Sequence, residues 1–154
     1  MPLHIELCAT YQCNYDCPWC NCRLSRLKMQ KEQYSLTFSE LVRIIDECHK
    51  HQVGIQWTGG EPLTNSALPK AIAYASSLSV KQCLFTNGSL LSQSIAEVLL
   101  KSNLSFIRIS LNCVTPSIHS KFHGGIPLYV SERVLENFKT LCMLKSSSAS
   151  SVQM

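Results

Sequence analysis

The chain has 154 residues, 45% of them hydrophobic, and a formal net charge of +4 at pH 7. A strand with its crossover helix takes about 30 residues, so about five such units fit and an eight-unit barrel of about 250 residues is excluded; the length suits one domain with an ordinary core. Charged residues at 16% fall below the ~25% of average soluble chains, which argues against disorder throughout, and +4 is too little to make nucleic acid or an anionic membrane the expected partner.

Apolar periodicity switches between two and about 3.6 along the chain, the pattern of an α/β fold. Ile5, Leu7 and Ala9 alternate with His4, Glu6, Cys8 and Thr10, predicting a first strand with one apolar face. A polar, cysteine-rich loop is expected from there to about residue 35. Thr37 and Glu40 are spaced as a capping box, with Leu36 and Leu41 placed for a hydrophobic staple; the helix they open carries Leu41, Ile44, Ile45 and Cys48 as its core stripe. A second strand from about Val53 to Thr58 runs into Gly59-Gly60-Glu61-Pro62, and an Ala-rich helix follows from about Leu68 to Leu78. Val80 to Thr86 predicts a third strand, broken by Asn87-Gly88, and Leu91, Ile95, Val98 and Leu99 mark a third helix. In the fourth strand Ile107, Ile109 and Leu111 oppose Arg108, Ser110 and Asn112. After a turn-rich stretch with Pro116 and Gly124-Gly125, Ser131 is placed to cap a last helix with Val134, Leu135, Phe138, Leu141 and Cys142 on one side. The sum is four parallel βα units with right-handed connections over residues 1–145, and a flexible Ser-rich tail over 146–154. No fifth strand is expected.

Nine cysteines are the outlying number. The count is odd, and the N-terminus lacks the basic and apolar regions of a secretory signal. No apolar run approaches the ~18 residues of a membrane span. A reducing, cytoplasmic setting is therefore expected, where clustered cysteines hold metal more often than each other. Cys13, Cys17 and Cys20 fall within eight residues after strand 1, a spacing that arises by chance only ~0.03 times per chain at this cysteine frequency. Three thiolates on a short loop can converge on an iron–sulfur or zinc centre, and three rather than four leave a position open for chemistry. Cys8 or Cys22 could supply a fourth ligand and close the site. Cys48, Cys83 and Cys142 fit apolar positions as small core residues.

Cys13, Cys17 and Cys20, with Trp19 before the third, resemble the cluster loop of radical S-adenosylmethionine (SAM) enzymes. Gly59-Gly60-Glu61-Pro62 after strand 2 is similar to that family's glycine-rich motif, and Thr86-Asn87-Gly88 and Ser110-Leu111-Asn112 resemble further features of its SAM pocket. The resemblance runs from about Ile5 to Gly125. It implies a partial (β/α) barrel and a [4Fe-4S] cluster on Cys13, Cys17 and Cys20, whose open iron chelates SAM. Reductive cleavage would then give a 5′-deoxyadenosyl radical that abstracts hydrogen from a peptide or small-molecule substrate. It further implies that Gly59, Gly60 and Glu61 meet the SAM amino group, that Trp19 lies near adenine, and that Ser110 and Asn112 lie near the ribose or amino acid portion. A flavodoxin- or ferredoxin-like reductant is the implied partner. Independently of the family, a helix-covered sheet tolerates a polar second face where that face lines a cleft; His4, Glu6, Gln56, Thr58, Arg108, Ser110 and Asn112 fall there. Ligands of α/β sheets bind at strand C-terminal ends, where these motifs lie.

The family core has about six βα units, and many relatives carry aspartate where this chain has Asn112. Four units predict an N-terminal fragment, a truncated product or one half of an assembly, with self-association through the open sheet edge. Two alternatives to the enzyme are an inert iron–sulfur-binding fragment and a structural zinc protein. His119 and His123 are spaced i, i+4 without the glutamate of the zinc-protease motif, so no metal role is expected of them. Arg23, Arg26, Lys28 and Lys31 predict a solvated basic face, with substrate or reductase docking as the second option.

Overall fold

The structure, a computed structural model, describes residues 3–21, 23–31, 34–148 and 150–153. Cys22, one of the two possible fourth ligands, lies outside the described residues, as do the side chains of Arg26 and Lys31. Four strands, β1 (His4–Thr10), β2 (Gly54–Gly59), β3 (Gln82–Thr86) and β4 (Leu104–Ile109), form one parallel sheet in the order β1-β2-β3-β4. Each strand joins beside its predecessor, as in the wall of a barrel; a doubly wound sheet would reverse direction part-way. Helices α1 (Arg23–Lys31), α2 (Phe38–Lys50), α3 (Leu68–Ser77), α4 (Gln93–Lys101), α5 (Pro116–Phe122) and α6 (Leu128–Ser146) alternate with the strands. Among the described residues no helix is long and apolar enough to cross a membrane.

Residue alternation divides the sheet into two faces. Ile55, Trp57, Leu84, Leu104 and Ile107 are at most 2% exposed and join Leu41, Ile45, Leu68, Ile72 and Leu99 of the helical layer in one core. The Trp57 indole N–H donates to Gln82 Oε1 at 2.7 Å, and Gln82 Nε2 donates to the Ile72 carbonyl at 2.9 Å. These bonds satisfy the polar atoms that Trp57 and Gln82 carry into the core. On the other face Gln56 Nε2 donates to Glu6 Oε1 at 3.0 Å, and the Arg108 guanidinium sits 5.4 Å from the centre of the Phe85 ring.

The capping box is present: the Thr37 N–H donates to Glu40 Oε2 at 2.8 Å and Thr37 Oγ1 accepts from the Glu40 N–H at 3.4 Å. Several elements differ from expectation. Residues 23–31 form α1 rather than loop: Arg, Leu, Lys, Met and Gln are strong helix formers, but Leu24 is exposed and no core stripe announces the helix. Helix α4 begins at Gln93 and buries Ala96, Leu99 and Leu100, while Val98 faces outward and Leu91 packs in the core ahead of the helix. Helix α6 starts at Leu128, so Ser131 lies inside it; its buried hydroxyl bonds to His119 Nδ1 at 3.1 Å instead of capping. Ser110 and Asn112 follow the end of β4, although the Ser110 N–H still donates to the Thr86 carbonyl at 2.9 Å. In the tail, where composition predicts a flexible end, Val152 is fully buried and Gln153 bridges Phe106 in parallel, giving and taking bonds at 3.0 and 2.8 Å with Ser105 and Ile107. The unpaired backbone groups at the β4 edge can pair with a segment of any composition, which composition alone does not convey.

Candidate functional site

The chain leaves β1 and crosses at once to the turn after β2. The Gly60 N–H donates to the Thr10 carbonyl at 2.9 Å and the Glu61 N–H to the Gln12 carbonyl at 2.8 Å. Contact this close requires glycine: Gly59 sits at φ +137°, where a Cβ would meet the Thr10 carbonyl and Cys8 Sγ, and a Cβ on Gly60 would run into the carbonyls of Tyr11 and Gln12. The cysteine loop is next tied to the turn after β3. Asn14 donates to Ser89 Oγ at 2.7 Å and accepts from Asn87 Nδ2 at 2.9 Å. Its exposed side is braced by Arg23 of α1, paired bidentately with Asp16 at 3.0 and 2.7 Å.

These connections gather Cys13, Cys17, Cys20, Trp19, Gly59, Gly60, Glu61 and Ser110 around one cavity of about 460 Å³ at the C-terminal ends of the strands. Thr86, Asn87 and Cys8 also line it, the Cys8 thiol bonding to the Thr10 carbonyl at 3.3 Å. Asn112 is not on the wall; it reaches the site through His123, whose Nε2 lies 3.3 Å from Asn112 Nδ2. A larger cavity, about 950 Å³, opens at the opposite strand ends among His49, Lys50 and Lys81. Cys48, Cys83, His4 and His49 are in its lining, but they are spread over separate elements, whereas the smaller cavity has three cysteines from one short loop.

Glu61 is 1% exposed. Its carboxylate accepts from Thr86 Oγ1 at 2.7 Å, from the Asn87 N–H at 2.7 Å and from the Leu63 N–H at 3.1 Å. Thr86 Oγ1 also accepts from the Gly88 N–H at 3.1 Å, so it links the turn backbone to Glu61. Burial pushes the Glu61 carboxyl above its ordinary range, and the three donors offset only part of that rise. Trp19 is 46% exposed; its indole N–H donates to the Phe122 carbonyl at 2.8 Å and its ring lies 5.0 Å from that of Phe122.

Three groups at the site carry no weight in the sequence motifs: Asn14, Tyr15 and the His119/His123 pair. Tyr15 is buried, and desolvation drives its phenol up to about 12. Both histidines are 1% exposed with ring centres 4.3 Å apart, and His123 Nδ1 stands 3.0 Å from Cys17 Sγ. Burial first, then His119, hold His123 down to about 4, so its ring is neutral near pH 7. The i, i+4 spacing is visible in the sequence; its approach to a cysteine 106 residues away is not.

The fold and the site together define an α/β barrel-wall protein with a thiol-lined cavity at the C-terminal ends of its strands. The model of the radical SAM superfamily matches residues 7–151, and the chain belongs to that superfamily, with a partial α/β fold of its type. Among characterised proteins it is similar to the PqqA peptide cyclase of Granulibacter bethesdensis, at 30% identity over 106 residues, 68% of this chain and 28% of that protein. It is 28% identical over 116 residues to the Fe-coproporphyrin III synthase of Methanosarcina barkeri, 75% of this chain and 28% of the synthase. A probable GTP 3′,8-cyclase of Thermococcus kodakarensis matches at 26% over 136 residues, 88% and 42% of the two chains. The matched stretch is less than half the length of each of these relatives.

Membership implies, in general, a [4Fe-4S] cluster, SAM, a reductant and a substrate. The residues present suit such a cluster. Among the described residues no three His, Cys, Asp or Glu side chains gather where they could hold a single metal ion. A four-iron cluster instead takes one thiolate on each of several irons, and three cysteine side chains arrayed around one cavity are a donor set of that kind.

Proposed function

We propose that the chain carries the cluster- and SAM-binding part of a radical SAM enzyme, with Cys13, Cys17 and Cys20 holding a [4Fe-4S] cluster and SAM seated across Gly59, Gly60 and Glu61. Such a cluster, when bound and reduced, supplies the electron that cleaves SAM to methionine and a 5′-deoxyadenosyl radical able to take hydrogen from a peptide or small-molecule substrate. Glu61 offers a buried carboxyl group to the SAM ammonium, Trp19 an aromatic face to adenine, and Ser110 and Asn112 hydrogen bonds to the ribose or amino acid portion. A flavodoxin- or ferredoxin-like protein in a reducing compartment is the electron source. What carries this reading is one observation: three thiols and the Gly59–Glu61 turn, 39 to 48 residues apart in sequence, line a single cavity.

The test is anaerobic reconstitution with iron and sulfide, followed by reductant and SAM. Close to four irons per chain with 5′-deoxyadenosine formed supports the enzyme, and Cys17→Ala should take up almost no cluster. A cluster without SAM cleavage identifies an inert cluster-binding chain. Zinc bound in place of iron and sulfide sinks both readings and leaves a structural metal site.

A further inference from the structure

We propose that His123 is a positioning residue whose Nδ1–H donates a hydrogen bond to the Cys17 thiolate and thereby raises the reduction potential of the cluster; this rests on the cluster assignment above. His123 Nδ1 is 3.0 Å from Cys17 Sγ, and the other ring nitrogen faces Asn112 Nδ2 at 3.3 Å. An amide –NH2 can only donate. With the Asn112 amide in this orientation Nε2 accepts and Nδ1 carries the proton, which points at the sulfur.

The ring is fixed from several sides. His119 packs at 4.3 Å, Tyr15 at 5.3 Å and Trp19 at 5.6 Å between ring centres. His119 is in turn bonded to Ser131 Oγ of α6 at 3.1 Å. The corner that carries His123 is clamped to the cysteine loop twice more, through Trp19 Nε1 on the Phe122 carbonyl at 2.8 Å and by Gly124, which lies so close to the Asp16 carbonyl that a Cβ has no room. A loose histidine would sample many orientations; this one is packed against the loop that holds the ligand.

Hydrogen bonds to ligand sulfur are one of the levers that set iron–sulfur potentials. Each withdraws charge from the thiolate and so favours the more negative, reduced state, and a donor to an ionised acceptor is the stronger kind. The structure thus gives one of the three cluster cysteines a side-chain donor supplied by the segment between β4 and α6.

The experiment is a mediated redox titration of the full reconstituted chain, followed by absorbance and electron paramagnetic resonance, for wild type, His123→Ala and His123→Asn. Asparagine Nδ2 occupies the place of histidine Nδ1, three bonds from Cα, and keeps a donor there. Iron and sulfide contents should match across the three proteins, the midpoint of His123→Ala should move to more negative potential, and His123→Asn should return toward wild type. An unmoved midpoint in His123→Ala, or a shift equally large in His123→Asn, overturns the proposal. Should His123→Ala lose its cluster, wild-type protein labelled with 15N-histidine decides: a weak nitrogen coupling in the reduced cluster is expected. No coupling, or the strong coupling of a direct iron ligand, overturns it. Absence of iron and sulfide from reconstituted wild type removes the cluster assignment itself, an outcome distinct from a cluster that forms and ignores His123.

Discussion

The two faces of the sheet are made by alternate residues of the same strands, yet they are different materials. Toward the helices, Ile55, Trp57, Leu84 and Ile107 are closed off from solvent; toward the other side, Glu6 and Arg108 are exposed and Gln56 and Thr58 half-buried. Hydrophobic burial stabilises at about 25 cal/mol per Å², so the helical side carries the fold. The polar side contributes little to it and is free to hold chemistry. Between the two, at the strand C-terminal ends, Glu61 is buried like core but polar like the open face.

The largest effect should come from the helical side. Trp57→Ala removes a fully buried indole and leaves Gln82 Oε1 without its donor; a loss of about 3–5 kcal/mol is expected, read by urea denaturation. A loss below about 1 kcal/mol would mean that the helical layer is not what holds the sheet.

Next comes the junction. Gly60→Ala forces a methyl against the Tyr11 and Gln12 carbonyls, and overpacking of this kind costs about 1–3 kcal/mol. Because the strain falls on the start of the cysteine loop, iron uptake on reconstitution should drop more than the melting temperature does. Equal loss of both would make the turn merely structural.

What was legible in the sequence follows the same division. The alternation of Ile107 and Ile109 with Arg108 sets the faces of β4, because strand period is a local property. The order of the three motifs at strand ends was legible for the same reason, since each lies beside the strand it follows. Helices α1 and α5 were not: α1 has no apolar stripe, and α5 has only seven residues, fewer than periodicity can register. The burial of Glu61 was hidden as well, because glutamate is almost never fully buried and its donors, Thr86 and Asn87, come from another unit. The contact of His123 with Cys17 depends on two segments meeting in space, which no local pattern encodes.

Glu61 allows a finer test of its intermediate character. Burial lifts its carboxyl above the ordinary 4.5, so the folded chain binds more protons than the unfolded one over the interval between the two values. Its contribution to stability is then full below pH 4.5 and is lost as pH rises through the folded pKa. The melting temperature of wild type minus that of Glu61→Gln, measured without added iron, should fall from about pH 4 to about pH 7. A difference that grows with pH would show the donors Thr86, Asn87 and Leu63 outweighing burial, and the anion as the favoured resident of the site.

The smallest effect should come from the open face. Gln56→Ala breaks the 3.0 Å bond to Glu6, but Glu6 is exposed and water can replace the lost donor, so the change in unfolding free energy should stay within about 0.5 kcal/mol. Retained stability with retained cluster uptake means that the polar face is not needed for folding or for cluster binding and is available for other contacts. A loss above about 1 kcal/mol would mean instead that the Glu6–Gln56 pair helps to set the β1/β2 register, where Glu6 and Gln56 are direct partners, and the division of labour between the faces would fail at its simplest point.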